Sequence, residues 1–203
     1  ILPSTGQPHW NDSGWTSESP ANDIDFISSL IDWAYAEYQI DLSRVYATGK
    51  SNGGKMSYHL ACNLGYRIAG VASVGGSMTP NTYATCSPNQ PTAIVHIHGI
   101  DDTVVPIDGN GRSTPLTDMI DYWKNYNACD QETIFVLPDL NDDGYGGSLY
   151  RYHGCLNNVD VQLFLMDQIA HDWPTDLNDY DIIAADEIWN FLKEFDINGR
   201  IAQ

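Results

Sequence analysis

Residues 44–64 read RVYATGKSNGGKMSYHLACNL. A short β-type run at 44–48 leads into Gly49-Lys50-Ser51-Asn52-Gly53. An amphipathic helical pattern over 51–64 follows, carried by Met56, Leu60, Ala61 and Leu64. A G-x-S-x-G between a strand and a helix has the form of a nucleophile elbow, in which the serine sits on a sharp turn with its hydroxyl exposed. Gly49 and Gly53 are expected where strand and helix backbones approach too closely for a Cβ. The amides of Asn52 and Gly53 open the helix and face any negative charge that develops beside the serine. The plainer alternative for Ser51 is a glycine-flanked helix N-cap.

Outward from this segment the pattern alternates. Residues 1–22 are rich in Pro, Gly, Ser, Asn and Trp and read as surface loop. Ile24, Ile27, Leu30, Ile31, Ala34, Tyr35 and Tyr38 recur at helical spacing, with Asn22 or Asp23 placed to cap. Runs at 68–74 and 93–97 are apolar on consecutive positions, as in strands buried on both faces. A helix over 115–126 has Pro115 in its first turn. Residues 134–137 and 149–152 flank a polar loop as a hairpin, and 161–166 is the last strand. Residues 181–195 close the chain as a helix with Ile182, Ala185, Ile188, Trp189, Leu192 and Phe195 on one face. Trp33, Trp123 and Trp189 lie in helical patterns and are assigned to the core. Strands alternating with helices predict an α/β fold with a mostly parallel sheet flanked by helices. No linker or repeat divides residues 1–203, which are read as one domain.

A serine hydroxyl is a weak nucleophile and needs a general base, itself oriented by a carboxylate. On a fold of this kind they follow in the order serine, acid, histidine, on loops at the carboxyl ends of later strands. After the 93–97 strand comes His98-Gly99-Ile100-Asp101-Asp102, and after the 161–166 strand comes Asp167-Gln168-Ile169-Ala170-His171-Asp172-Trp173-Pro174. His171 stands between the last strand and the last helix, where the base belongs.

Composition narrows the partners. Twenty-seven acids, 22 of them Asp, against nine Lys and Arg give a formal net charge of −18. Such a chain repels phosphate backbones and anionic lipid, which argues against nucleic acid and membrane surfaces as partners. No apolar run approaches the roughly 20 residues of a membrane span. Four cysteines, at 62, 86, 129 and 155, with no C-x-x-C among them, allow two disulfides in three connectivities. The nearest-neighbour connectivity closes two loops, each worth up to about 3 kcal/mol in the chain-entropy model. Four buried free thiols in an intracellular protein are the plainer alternative, while paired cysteines favour an extracellular or periplasmic location.

Three blocks together carry a resemblance: ATGKSNGGKMSYHLAC at 47–62, HIHGIDDTVVP at 96–106 and AHDWP at 170–174. In this order they resemble the polyhydroxybutyrate depolymerase / feruloyl esterase family of secreted α/β-hydrolase serine esterases, which includes acetylxylan-esterase-like members. The likeness runs from about Trp10 to Phe195. It implies an α/β-hydrolase fold and a carboxylic ester hydrolase acting through an acyl-enzyme, without a cofactor, on feruloyl, acetyl, short-chain or polyhydroxyalkanoate-type esters. The family pattern H-G-x-x-D-x-x-V-P falls on Asp102, leaving Asp101 as a neighbour, and the family's serine and histidine fall on Ser51 and His171. It also implies a Cys129–Cys155 disulfide and one joining Cys62 to Cys86. Family members carry earlier strands, one ending in an H-G segment that supplies an oxyanion-hole amide. Here only the Asn52 N–H is identifiable as a donor, so the N-terminal strands are expected to be missing from this chain and a further segment to complete the sheet. That departure motivates a rival reading, a non-catalytic carbohydrate- or polymer-binding protein on a decayed hydrolase scaffold. A serine peptidase of the same fold is a second.

Other features have plain readings beside sharper ones. Asp139-Leu140-Asn141-Asp142-Asp143-Gly144 opens like a calcium loop, but position twelve is Tyr150 where a bidentate Glu is required, so an Asx-rich turn is expected and no metal is assigned. His96 and His98 share one face of a strand, too little for zinc, and His98 is assigned to shaping the loop that presents Asp102. Trp10, Trp15 and Trp173 are either a substrate cleft or packing anchors. Lys50 either tunes substrate entry or faces solvent.

Overall fold

A computed structural model describes residues 9–13, 21–178 and 180–202. Helix α1 (Asp23–Tyr38) starts at Asn22, whose side chain accepts from the Asp25 amide. Strand β1 (Tyr46–Lys50) runs into α2 (Asn52–Leu64), then β2 (Gly70–Val74), the short α3 (Pro80–Thr85), β3 (Ala93–Gly99) and α4 (Leu116–Tyr126). The hairpin β4 (Gln131–Leu137) and β5 (Gly147–His153), the strand β6 (Val161–Met166) and α5 (Ala184–Leu192) complete the main elements.

Six strands form one sheet in the order β1-β2-β3-β6-β5-β4. The first four are mutually parallel, while β5 runs antiparallel to β6 and β4 to β5. Parallel neighbours require crossovers, which α2, α3 and α4 supply, whereas the hairpin needs only its polar loop. β2 and β3 are buried along their whole length, as their unbroken apolar runs predict. Successive side chains of these strands serve opposite cores. Val71, Ile94 and Leu163 pack with α2, α4 and Trp123, while Val74, Ile97 and Phe164 pack with Ile188, Phe191 and Leu192 of α5.

The α/β expectation holds, with local corrections. The strand expected at 44–48 lies two residues later and ends directly at Ser51. The closing helix covers only Ala184–Leu192, because Phe195–Asp196 leaves the helix to pair with Gly199–Arg200. Its inward residues are Ala184, Ile188, Phe191 and Leu192, so the buried stripe is rotated and Trp189 is 55% exposed. On α1 Ile31 is buried and Trp33 lies 51% exposed; of the three helical tryptophans only Trp123 is core. Residues 9–13 are not simply surface loop, since Asp12 is fully buried. Cysteines pair as Cys62–Cys86, joining α2 to the end of α3, and Cys129–Cys155, joining the two ends of the β4–β5 hairpin. Among the described residues β1 forms one margin of the sheet and β4 the other.

Candidate active site

The β1–α2 junction is a turn that only a constrained backbone makes. Ser51 has φ +54° and ψ −117°, outside the regions an L-residue prefers, and its amide donates to the Val74 carbonyl at 2.9 Å. Ser51 occupies the N-cap position of α2, but its side chain makes no capping hydrogen bond to the helix. A Cβ on Gly49 would lie 2.6 Å from the Gly53 carbonyl carbon, so Gly49 must be glycine. Gly53 is different, since a Cβ there would meet nothing within 4 Å. The close approach expected at Gly53 belongs to Gly54, whose Cβ would stand 2.2 Å from Ser73 Oγ.

The loops after β3 and β6 meet beside this turn. Gly99 packs so tightly on the second loop that a Cβ would fall 2.0 Å from the Ile169 carbonyl oxygen, and the Asp101 amide donates to that same carbonyl. Asp101 is exposed, whereas Asp102 is buried. Asp102 Oδ1 accepts the amides of Val104 (2.9 Å) and Val105 (2.8 Å), and Oδ2 lies 2.7 Å from His171 Nδ1. A carboxylate surrounded by donors only accepts, so His171 carries its proton on Nδ1 and its basic lone pair on Nε2. Gly75, at φ +58° immediately after Val74, connects the two halves. A Cβ there would stand 3.3 Å from both Asp102 Oδ2 and His171 Nδ1.

Asn52 contributes twice. Its amide lies in the first turn of α2, and its side chain grips the N-terminal segment. Oδ1 accepts from Trp10 N at 2.8 Å, while Nδ2 donates to Asp12 Oδ2 at 2.8 Å and to the Trp10 carbonyl at 3.2 Å. Beside this clamp opens a cavity of about 750 Å³ lined by His9, Trp10, Phe26, Lys50, Asn52 and Gly53, among others. Trp10 and Lys50, two of the residues singled out in the sequence, both line this cavity. Trp173 does not line it and packs instead against the core beneath α5. Trp15 lies outside the described residues. Lys50 Nζ sits 3.7 Å from Asp172 Oδ1, bridging the positions next to Ser51 and His171.

Three further features were not legible in the sequence. Asp12, Gly75 and Lys55 have no flanking pattern that marks them. Lys55, one turn into α2, is buried with Nζ donating to the Arg112 carbonyl and Ser113 Oγ, and burial lowers its pKa. The calcium-like loop folds on itself, with Asp139 Oδ1 and Oδ2 accepting the amides of Asp143 and Gly144. Among the described residues Asp139, Asp143 and Asp181 can bring one oxygen each within 4.8 Å, and they are exposed or half-buried. His96 and His98 are buried and hydrogen-bonded to each other at 2.8 Å. No helix among the described residues is long and apolar enough to cross a membrane.

Known proteins similar to this chain include several esterases. A feruloyl esterase C of Aspergillus terreus, described as probable, is 35% identical over 186 residues, covering 91% of this chain and 62% of the relative. Feruloyl esterase C of Emericella nidulans is 29% identical over the same share of both chains. A bifunctional acetylxylan esterase/xylanase of Neocallimastix patriciarum is 25% identical over 98% of this chain and 26% of its own length. The chain thus spans about three-fifths of the length of the feruloyl esterases it matches. Among solved structures, the acetyl xylan esterase of Aspergillus awamori superposes with a TM-score of 0.53 at 13% identity, over 84% of this chain and 67% of the other. A SOBER1 variant of Arabidopsis thaliana does so with a TM-score of 0.53 at 15% identity, over 95% and 69%. Both establish the fold as that of the α/β-hydrolases. The family model of phospholipases and carboxylesterases matches residues 8–128, which hold the Ser51 turn and the Asp102 loop, and the chain belongs to that phospholipase/carboxylesterase family.

Proposed function

We propose that this chain acts as an extracellular serine esterase with Ser51, His171 and Asp102 as its triad. The observation that carries the reading is the buried Asp102 carboxylate, held by two backbone amides on one oxygen and by His171 Nδ1 on the other. Ser51 Oγ attacks the ester carbonyl as His171 Nε2 takes its proton, and Asp102 stabilises the imidazolium that forms. The oxyanion of the tetrahedral intermediate accepts from the Asn52 amide, at the positive end of α2. Collapse breaks the C–O bond to the alcohol, which leaves with the proton from His171. Water, deprotonated by the same Nε2, then attacks the acyl-enzyme and releases the acid and Ser51. No cofactor enters these steps.

The names of the relatives favour feruloyl esters and acetylated xylan as substrates, and the cavity flanked by Trp10 and Phe26 offers aromatic surface for a feruloyl group. Short-chain and polyhydroxyalkanoate-type esters belong to the same chemistry. Two disulfides suit an oxidising compartment.

Initial rates on methyl ferulate, p-nitrophenyl acetate, a hydroxybutyrate oligomer and a peptide substrate test the reading. Ester turnover is expected to exceed peptide turnover and to fall by about 10⁴-fold or more in Ser51→Ala. Peptide cleavage at equal or greater rate would assign a peptidase instead. Binding of polysaccharide with no turnover at all would assign a binding protein.

A further inference from the structure

Strand β3 presents Ile94, His96 and His98 to the core beneath α2 and α4. Two imidazoles on an otherwise apolar strand face are costly unless each nitrogen is paired, and the proposed reaction uses neither. Both are essentially inaccessible, as is Tyr58 of α2. Tyr58 Oη lies 2.8 Å from His96 Nδ1, His96 Nε2 2.8 Å from His98 Nδ1, and His98 Nε2 2.8 Å from the Val105 carbonyl oxygen.

Proton accounting gives this chain a direction. A carbonyl oxygen only accepts, so His98 must carry its proton on Nε2. Neutral His98 then accepts at Nδ1, which puts the His96 proton on Nε2 and leaves His96 Nδ1 to accept the Tyr58 hydroxyl. Burial disfavours the imidazolium form of both rings, which keeps them neutral. Each donor therefore points the same way, from α2 through β3 to the loop. The chain stops at Val105 and does not conduct a proton onward to Asp102. Its terminus is nevertheless the residue whose own amide donates to Asp102 Oδ1. His98 Nε2 also lies 3.7 Å from Asp102 Oδ2, the oxygen that faces His171.

We propose that Tyr58, His96 and His98 are positioning residues of the triad: a one-way hydrogen-bond chain that fixes the Val105 peptide and thereby the Asp102 carboxylate against His171. The proposal rests on the esterase reading above for its catalytic consequence, and on the hydrogen-bond geometry and burial of the two rings for its tautomers. It separates His98 from an ordinary core residue, because replacing it by an apolar ring of similar size leaves the packing and releases the loop.

The test combines kinetics with NMR of ¹⁵N-labelled imidazoles in the folded chain. In the wild type His96 and His98 are expected to be neutral and protonated on Nε2. His98→Phe is expected to lower kcat on p-nitrophenyl acetate by about 10-fold or more with KM nearly unchanged, as for a small misplacement of a catalytic group. His98→Gln, whose amide reaches toward the Val105 carbonyl, should recover most of that loss. Tyr58→Phe should lower kcat by a smaller factor and perturb the Nδ1 signal of His96. A His98 protonated on Nδ1, or a folded His98→Phe with the kcat of wild type, overturns the proposal. Should His98→Phe not fold, the wild-type tautomers and Tyr58→Phe decide the matter. Full activity in Ser51→Ala would instead overturn the esterase reading, and the tautomer assignment would still be measured.

Discussion

Adjacent aspartates after β3 sit in different surroundings. Asp102 is buried with three donors on its two oxygens while its neighbour Asp101 is exposed, so paired substitutions read out their roles. Asp102→Asn is expected to lower kcat by about 10³–10⁴-fold, since an amide no longer holds the required His171 tautomer. Asp101→Asn should leave kcat within about two-fold, because a surface substitution clear of the site is usually near neutral. Gly75 offers a second check. An alanine there takes a φ of +58° and puts its methyl 3.3 Å from both Asp102 and His171. Gly75→Ala is expected to destabilise by about 1 kcal/mol and to cost activity beyond what that loss explains, as comparing kcat with the thermal midpoint will show. The choice of Asp102 over Asp101 was legible only through the resemblance, because residue types alone do not say which of two neighbours turns inward.

At the scale of elements, periodicity located the helices and strands well where one face decides burial. The unbroken apolar runs of β2 and β3 announced strands covered on both sides, and these are the buried centre of the sheet. Periodicity failed where two faces are both apolar. α1 buries Ile31 yet exposes Phe26, Leu30 and Trp33, and no spacing rule says which stripe meets the core. The elbow glycines show the same limit. The motif places a glycine at 53, but the crowding that demands one is at 54, where α2 crosses Ser73 and Gly76. Gly53→Ala is therefore expected to stabilise α2 by about 0.5–1 kcal/mol. Gly54→Ala should destabilise by about 1–3 kcal/mol through overpacking. Thermal melts of the two variants, opposite in sign, distinguish the assignments.

For the whole molecule, charge and burial pull in opposite directions as pH falls. The formal charge of −18 shrinks toward the sequence pI near 4.2, which relieves self-repulsion. Against this stand His96, His98 and His59, all with pKa lowered below the ordinary 6.5 by burial. The groups facing them are Tyr58 and His98 at His96, Asp102 and His171 at His98, and Thr82 and Asp12 at His59. Below about pH 6.5 the unfolded chain takes up protons that the folded chain refuses, so stability present above that pH is lost as it falls, by up to about 1.4 kcal/mol per pH unit for each such histidine. The thermal midpoint is expected to drop between pH 6.5 and 5 despite the falling net charge; a midpoint that rises would show that repulsion dominates.

The α/β architecture, the Ser51 turn and the His171 loop were all legible in the sequence, because each rests on local pattern and chain order. The clamp that seats residues 10–12 on Asn52 was not, since Trp10 and Asp12 reach it from 40 or more residues away. The central claim, that Ser51 is an activated nucleophile, is tested most directly by incubating the folded chain with a fluorophosphonate and locating the adduct by peptide mass spectrometry. A single adduct on Ser51, abolished in His171→Ala, is the predicted result. An unlabelled Ser51 in folded protein, or an adduct on another residue, would contradict it.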